Sequence, residues 1–170
     1  MHLVEHLLDV AEIGRERLVV KWVSAAEGHL FADYVTRISQ RTRELGPFDP
    51  REHKLSLSAV EAALRSPRLR WLMGIELQMT ERGNVYQEKI GEEKYHKLLE
   101  SAAREEYEKA LVFDVLKEGD QSVREIALRT GLPVYTVSSR VRELEKCHRA
   151  AFCGYTGQAA LFGKAVMEIA

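Results

Sequence analysis

The sequence predicts a mainly α-helical protein with a small β content. Apolar residues recur at helical spacing along most of its 170 residues. A short β-branched run at residues 18–23 is a strand candidate near the N-terminus. Two further strand candidates flank Thr156 and Gly157. We therefore expect an N-terminal α-β-α fragment (1–48), a helical connecting region (49–104) and a winged helix domain (105–170).

In the N-terminal fragment, residues 1–13 have amphipathic helical spacing, and Gly14 ends the helix. Residues 18–23 are almost continuously apolar, which is typical of a strand covered on both faces. Ser24 and Glu27 have the spacing of a capping box, in which each residue bonds the other's backbone amide. This spacing predicts a helix that runs to about Leu45.

The connecting region is predicted to be helical with one loop. Pro67 is expected to begin a helix, because the first helical position tolerates a missing amide hydrogen. Residues 80–84 contain a Gly-Asn turn signal and predict a loop. Residues 92–118 are helical in pattern almost throughout, and we expect a kink or break near Arg104 because the segment is long.

The C-terminal region has the signals of a winged helix-turn-helix. Ser122 and Glu125 form a second capping-box pattern, and Gly131 supplies the tight turn before a helix that starts after Pro133. That helix has the apolar stripe Val134, Val137, Val141 and Leu144. The hairpin around Thr156 and Gly157 is the expected wing.

The composition of the chain disfavours two classes of protein, those that bind nucleic acid and those that span or associate with membranes. Lys plus Arg number 25 and Asp plus Glu 26, so the net charge near −1 does not indicate a nucleic-acid-binding protein. No apolar run is long enough to cross a bilayer, and no signal-peptide pattern is present. Two cysteines fit a reducing compartment, so we expect a cytoplasmic protein that does not associate with membranes.

The predicted strand at residues 18–23 poses a physical problem. A single buried strand leaves its amides and carbonyls unpaired on both edges, at a cost of about 1–3 kcal/mol for each buried group. The missing strands must come from another chain, a second copy or the wing hairpin, and another chain is the interpretation we favour.

Residues 17–28, with Phe31, Ala32 and the run 43–47, resemble the C-terminal end of the delta (iron–sulfur) subunit of methyl-viologen-reducing hydrogenase. Members of that family accompany heterodisulfide reductase complexes and pass electrons to a flavin-bearing subunit. The family's cluster-binding cysteines lie upstream of this stretch and have no counterpart here, so cluster binding is not carried over. The resemblance implies a subunit without catalytic residues or a cofactor of its own, in an electron-transfer complex, of which an electron-bifurcating complex is one form. The 2Fe–2S and FAD groups are expected on partner subunits.

The predicted partner-binding residues combine the strand with the start of the following helix. They are Leu18, Val20, Trp22, Ser24, Glu27, Gly28 and Phe31.

A DNA-binding transcription regulator is the alternative, because winged helices bind DNA in some proteins and only proteins in others. The residues expected to contact DNA in that case are Tyr135, Thr136, Ser139 and Arg140. Against this reading, basic and acidic residues nearly balance over 105–149, eight against nine, and phosphate contacts dominate DNA affinity.

No catalytic or metal site is indicated. Four soft ligands are needed for a closed zinc or iron–sulfur site, and the two cysteines, Cys147 and Cys153, are expected to pack in the core. Trp22 and Trp71 are expected to be core or interface anchors.

Overall fold

The computed structural model describes residues 2–165 and divides the chain into two compact units, Met1–Lys54 and Leu55–Ala170. Its helices are α1 (His2–Val10), α2 (Gly28–Leu45), α3 (Lys54–Leu64), α4 (Pro67–Gly74), α5 (Glu92–Leu116), α6 (Val123–Thr130) and α7 (Val134–Lys146). Its strands are β1 (Gln121–Ser122), β2 (Ala150–Thr156) and β3 (Ala159–Lys164). The predicted class, mainly α with a small β content, is confirmed.

The first unit contains α1, a single 3-10 turn at Arg15–Arg17, an irregular segment and α2. Helix α1 buries Leu3 and Leu7, whereas no residue of α2 is fully buried. Helix α1 ends at Val10, before the end predicted at Gly14; Gly14, with a φ of 90° that a residue with a Cβ rarely adopts, precedes the 3-10 turn. The two predicted helices of this unit are therefore confirmed.

The predicted strand at residues 18–23 is wrong, because these residues form an irregular segment without sheet pairing. The three strands in the described part of the chain belong to one C-terminal antiparallel sheet, with the order β1-β3-β2. Strand character is realised only when a neighbouring strand supplies hydrogen bonds, and this unit supplies none. The predicted α-β-α fragment is thus two helices joined by an unpaired segment.

The helix boundary near Ser24 also differs from the prediction. Helix α2 begins at Gly28 with Glu27 as its N-cap, and the cap has no side-chain hydrogen bond. Glu27 nevertheless accepts a hydrogen bond from the Ser24 amide at 2.9 Å. The Ser24–Glu27 pair therefore closes a turn just before the helix instead of capping it.

In the second unit, α5 runs unbroken through Arg104, so the predicted break is wrong. No Pro or Gly lies between Glu92 and Leu116, and Ala102 and Ala103 are buried just before the expected kink. Helix α4 begins with Pro67 at its first turn, as predicted. The predicted loop at 80–84 is partly wrong, since a π-helical turn extends over Gln78–Arg82.

The predicted winged helix-turn-helix is confirmed from α5 through β3. Its core joins apolar residues of α5, α6 and α7 to the start of β2. Strand β3 pairs with both β1 and β2, and the turn between β2 and β3 forms the tip of the wing.

Two side-chain predictions in this region are wrong. Val137, Val141 and Leu144 are buried, but Val134 lies at the exposed first turn of α7. Both cysteines are exposed: Cys147 follows the last residue of α7, and Cys153 lies at a register irregularity of β2. The ends of elements and bulges turn side chains away from the core that the element's centre faces.

Within residues 2–165, no helix has both the length and the apolar character that are needed to span a bilayer.

Candidate partner-binding surface

The segment between Leu18 and Ser24 has an unpaired backbone. Among the described residues, no hydrogen bond engages the amides or carbonyls of residues 19–23. Hydrogen bonds resume at both ends, where the Leu18 amide donates to the Arg15 carbonyl at 3.1 Å and the Ser24 amide donates to Glu27. Unpaired donors and acceptors in a row are the feature that allows an extended segment to pair with another chain.

Large apolar side chains of this segment face solvent. Trp22 is 94% exposed and Val20 is 46% exposed, whereas Leu18 and Val23 are half-buried. Trp22 is therefore not a core residue, and Trp71, which is 63% exposed, is not one either. Exposed single apolar residues are common, but a run of them beside an unpaired backbone is typical of an interaction surface.

Helix α2 adds a second apolar stripe. Phe31, Val35 and Ile38 recur at spacings of four and three, so they lie on one face, and all three are exposed. Leu30 and Tyr34, on an adjacent face, are half-buried. The stripe has no cover within this unit's described residues, which for an amphipathic helix indicates a missing neighbour.

The polar members of the predicted set lie at the junction of segment and helix. Ser24 and Glu27 close the turn, and Gly28 is the first residue of α2. A Cβ placed on Gly28 would meet no atom within 4 Å, so there is open space at this backbone. The structure thus places all seven predicted partner-binding residues on one continuous stretch of the first unit.

Sequence reasoning missed Val19, Val35 and Ile38 as members of this surface. Their signal was available, because Phe31, Val35 and Ile38 have amphipathic spacing. That spacing predicts an apolar face on α2, and only the structure shows that this face is not covered by the unit's described residues.

In the second unit, the residues predicted to contact DNA divide into two groups. Tyr135, at the first turn of α7, is 85% exposed, while Thr136 and Ser139 are half-buried. The Arg140 side chain is only 14% exposed, and its guanidinium donates to Glu108 on α5 at 3.1 Å and to Glu143 at 2.5 Å. Arg140 therefore ties α7 to α5 and does not point outward.

Four other basic side chains of the winged helix are also engaged within the chain. Lys109 contacts Glu106 at 2.8 Å and Glu143 at 3.4 Å, and Lys117 contacts Asp114 at 2.5 Å. Arg129 pairs with Glu118, and the Arg149 guanidinium lies 3.9 Å from the centre of the Phe113 ring. These pairings reduce the positive charge that this domain could offer to phosphate groups.

Desolvation and neighbouring polar groups shift the pKa values of two side chains in the second unit, Glu106 and Cys153. Burial alone would raise the pKa of Glu106, but the hydrogen bond and charge of Lys109 and the charge of Arg68 lower it overall. Although Cys153 is an exposed residue, desolvation of its sulfur raises the pKa of the thiol, and the neighbouring Asp120 raises it further. A thiol held protonated in this way is a weak nucleophile and a weak metal ligand.

The described residues form no assembled metal site. No group of three or more His, Cys, Asp or Glu side chains within residues 2–165 is arranged to hold a metal ion. No known family model matches the chain. No solved structure matches it either.

Proposed function

We propose that this protein is a docking subunit without a catalytic site, in an electron-transfer complex of the heterodisulfide reductase and hydrogenase-delta type. In this role its first unit would bind an iron–sulfur or flavin subunit in the cytoplasm. The 2Fe–2S and FAD groups would be held by those partners. The resemblance over residues 17–47 supplies the class of partner, and the exposed segment supplies the means of attachment.

The observation that carries the proposal is the unpaired backbone of residues 19–23 beside the exposed side chains of Val20 and Trp22. When an extended segment adds to the edge of another protein's sheet, main-chain hydrogen bonds supply affinity and alternate side chains supply specificity. The segment offers both, because its amides are free and Val20 and Trp22 are two positions apart.

The side-chain contacts of the winged helix favour binding to a protein over binding to DNA. A DNA-reading helix needs side chains free to reach phosphates and bases. Arg140 is held by Glu108 and Glu143, and Lys109 and Lys117 are also paired with carboxylates. The domain is better suited to protein contact, for which the exposed Tyr135 and Val134 are suitable residues.

Co-purification of Val20→Pro with redox subunits tests this proposal. Proline removes a backbone donor and fixes φ, so the variant should lose the iron–sulfur or flavin subunit that the wild-type chain retains. The matched control is Val85→Pro. Val85 is 91% exposed and lies just after Asn84, in a turn closed by the hydrogen bond from the Gln87 amide to the Asn84 carbonyl, where proline is favoured.

Circular dichroism should show both proline variants folded, since neither position has a backbone hydrogen bond to lose. Normal assembly of Val20→Pro would show that residues 19–23 are not the docking element. Failure of the wild-type chain to retain any redox subunit, together with salt-dependent, sequence-selective DNA binding that is lost in Tyr135→Ala, would replace the proposal with the regulator.

A further inference from the structure

Two neighbouring clefts lie in the first unit, where residues 15–21 run against the second half of α2. The first has a volume of about 270 Å³, and the second, of about 250 Å³, opens beside it. Leu18, Val19 and Arg41 line both clefts, and Ile38 lines the first. The clefts are therefore bordered by the exposed apolar side chains and contain a guanidinium group.

The charges of these clefts are mainly positive. Four basic side chains and two acidic ones line them, and the acidic ones are Glu5 and Glu16. Three of the four basic groups are engaged elsewhere. Arg15 pairs with Asp9, Arg17 donates to the carbonyls of Leu45 and Gly46 at 3.3 and 3.4 Å, and Lys21 lies over the Tyr34 ring at 5.9 Å.

Arg41 differs from these three groups. Its side chain is exposed and has no hydrogen bond or ion pair with any of residues 2–165. Glu16, the acidic residue that lines both clefts, is not paired with it. Arg37, one helical turn earlier on the same side of α2, is also exposed and unpaired within the described chain. An uncompensated guanidinium beside an apolar stripe is an anchor for a carboxylate.

We propose that Arg41 anchors an acidic side chain of the docking partner, whose neighbouring apolar residues contact Val19 and Ile38. The partner element is thus an amphipathic protein segment with Asp or Glu among its apolar residues. This inference rests on the proposed docking function and specifies the chemistry of the partner.

The same observations disfavour other occupants. A second copy of the chain would bring its own Arg37 and Arg41 edge to the clefts, where like charges repel. A bilayer surface is flat, whereas the apolar and basic groups here line concave clefts that also contain Glu5 and Glu16. Nucleic acid requires several free cations along a track, and three of the four lining cations are already engaged.

The test measures binding of the full-length chain to two fluorescent amphipathic peptides with identical apolar residues. One carries Glu and the other Gln at the polar positions. We expect the Glu peptide to bind about tenfold more tightly at low salt, and the difference to shrink as salt screens the pair. Arg41→Glu should weaken binding of the Glu peptide by about tenfold or more, because an attraction becomes a repulsion.

Arg43→Glu is the matched control, since it makes the same charge change on the same helix. Arg43 lies about 200° around α2 from Arg41, away from both clefts. We expect its binding to stay within about twofold of the wild-type value, as is usual for an exposed charge outside an interface. Circular dichroism of both variants should match the wild-type chain.

The proposal is overturned if the Glu peptide shows no measurable binding, if the Gln peptide binds equally well, or if the two arginine variants lose equal affinity. It is also overturned if anionic phosphatidylserine vesicles or duplex DNA bind more tightly than the Glu peptide.

Co-purification of the same variants separates the two proposals. If Arg41→Glu retains the redox subunits, only the acidic anchor is wrong; if the Glu peptide binds but no redox subunit is retained, only the identity of the complex is wrong.

Discussion

At the scale of single residues, Ser122 and Glu125 form a complete capping box at the start of α6. The Ser122 amide and hydroxyl both donate to the Glu125 carboxylate at 2.7 Å, and the Glu125 amide donates to the Ser122 Oγ at 3.4 Å. Backbone and side-chain hydrogen bonds from Ser122 lower the pKa of Glu125. The start of α6 is thereby fixed against the end of β1, on which the orientation of the helix-turn-helix depends.

Ser122→Ala should lower the free energy of unfolding by about 1 kcal/mol, the usual cost of losing a helix N-cap. Urea unfolding followed by circular dichroism measures this change. Ser24→Ala is the matched control, because Ser24 belongs to a similar Ser-x-x-Glu pattern but caps no helix. Equal losses in the two variants would contradict the assignment of the capping box.

The stability of the fold should depend on pH through Glu125, and the direction of this dependence follows from the lowered pKa of its carboxyl. Because the folded-state pKa of Glu125 is lowered, its contribution is fully present above the ordinary glutamate pKa of about 4.3 and is lost as the pH falls through the lower folded value. The stability difference between the wild-type chain and Glu125→Ala should therefore shrink in that acidic range and stay constant near neutral pH.

At the scale of elements, Gly131 sets the angle between α6 and α7. It has φ 71° and ψ 2°, and its amide donates to the Ala127 carbonyl at 3.0 Å. The Thr130 hydroxyl supports the same turn by donating to the Ile126 carbonyl and accepting from the Leu132 amide. A left-handed residue at this point lets Pro133 begin the next helix in a new direction.

Gly131→Ala should destabilise the protein by about 1–2 kcal/mol, since a Cβ disfavours the left-handed conformation. The cost is purely conformational, because a Cβ at this position would meet no atom within 4 Å. Gly131→Asn should cost less, as asparagine tolerates this conformation better. Thermal unfolding of both variants measures the difference, and an Ala variant as stable as the wild-type chain would contradict the prediction.

At the scale of the whole molecule, the two units differ in how much they bury. Helix α5 buries twelve of its residues, whereas α2 buries none. Local opening costs little free energy where few apolar contacts must be broken. The surface proposed for docking therefore lies in the part of the chain that has the least intrinsic protection.

Amide hydrogen exchange should show this contrast directly. The amides of α2 and of residues 19–23 should exchange much faster than those of α5 in the isolated chain. Addition of the partner subunit should slow exchange at residues 19–23 and along α2, while α5 stays unchanged. Slow exchange at residues 19–23 without a partner would show that they are already paired.

The sequence alone determined most local structure in the winged helix. The capping box of Ser122, the left-handed Gly131, the helix after Pro133 and the hairpin follow from interactions between residues a few positions apart. Such short-range signals can be identified without knowing what packs on the element. The seven residues predicted to bind a partner stay a prediction; the sequence could group them because they form one local run.

Only the tertiary structure decided which backbone and side-chain groups have hydrogen-bond or ion-pair partners and which have none. Residues 18–23 have strand propensity, but a strand needs a partner that this unit does not provide, so they stay unpaired. Arg140 and Glu108 are 32 positions apart, and no local pattern shows that they meet. Arg41 likewise stays unpaired, because no carboxylate among residues 2–165 forms an ion pair with it. Pairing and exposure depend on residues far apart in the chain, and the sequence pattern at one position does not contain that information.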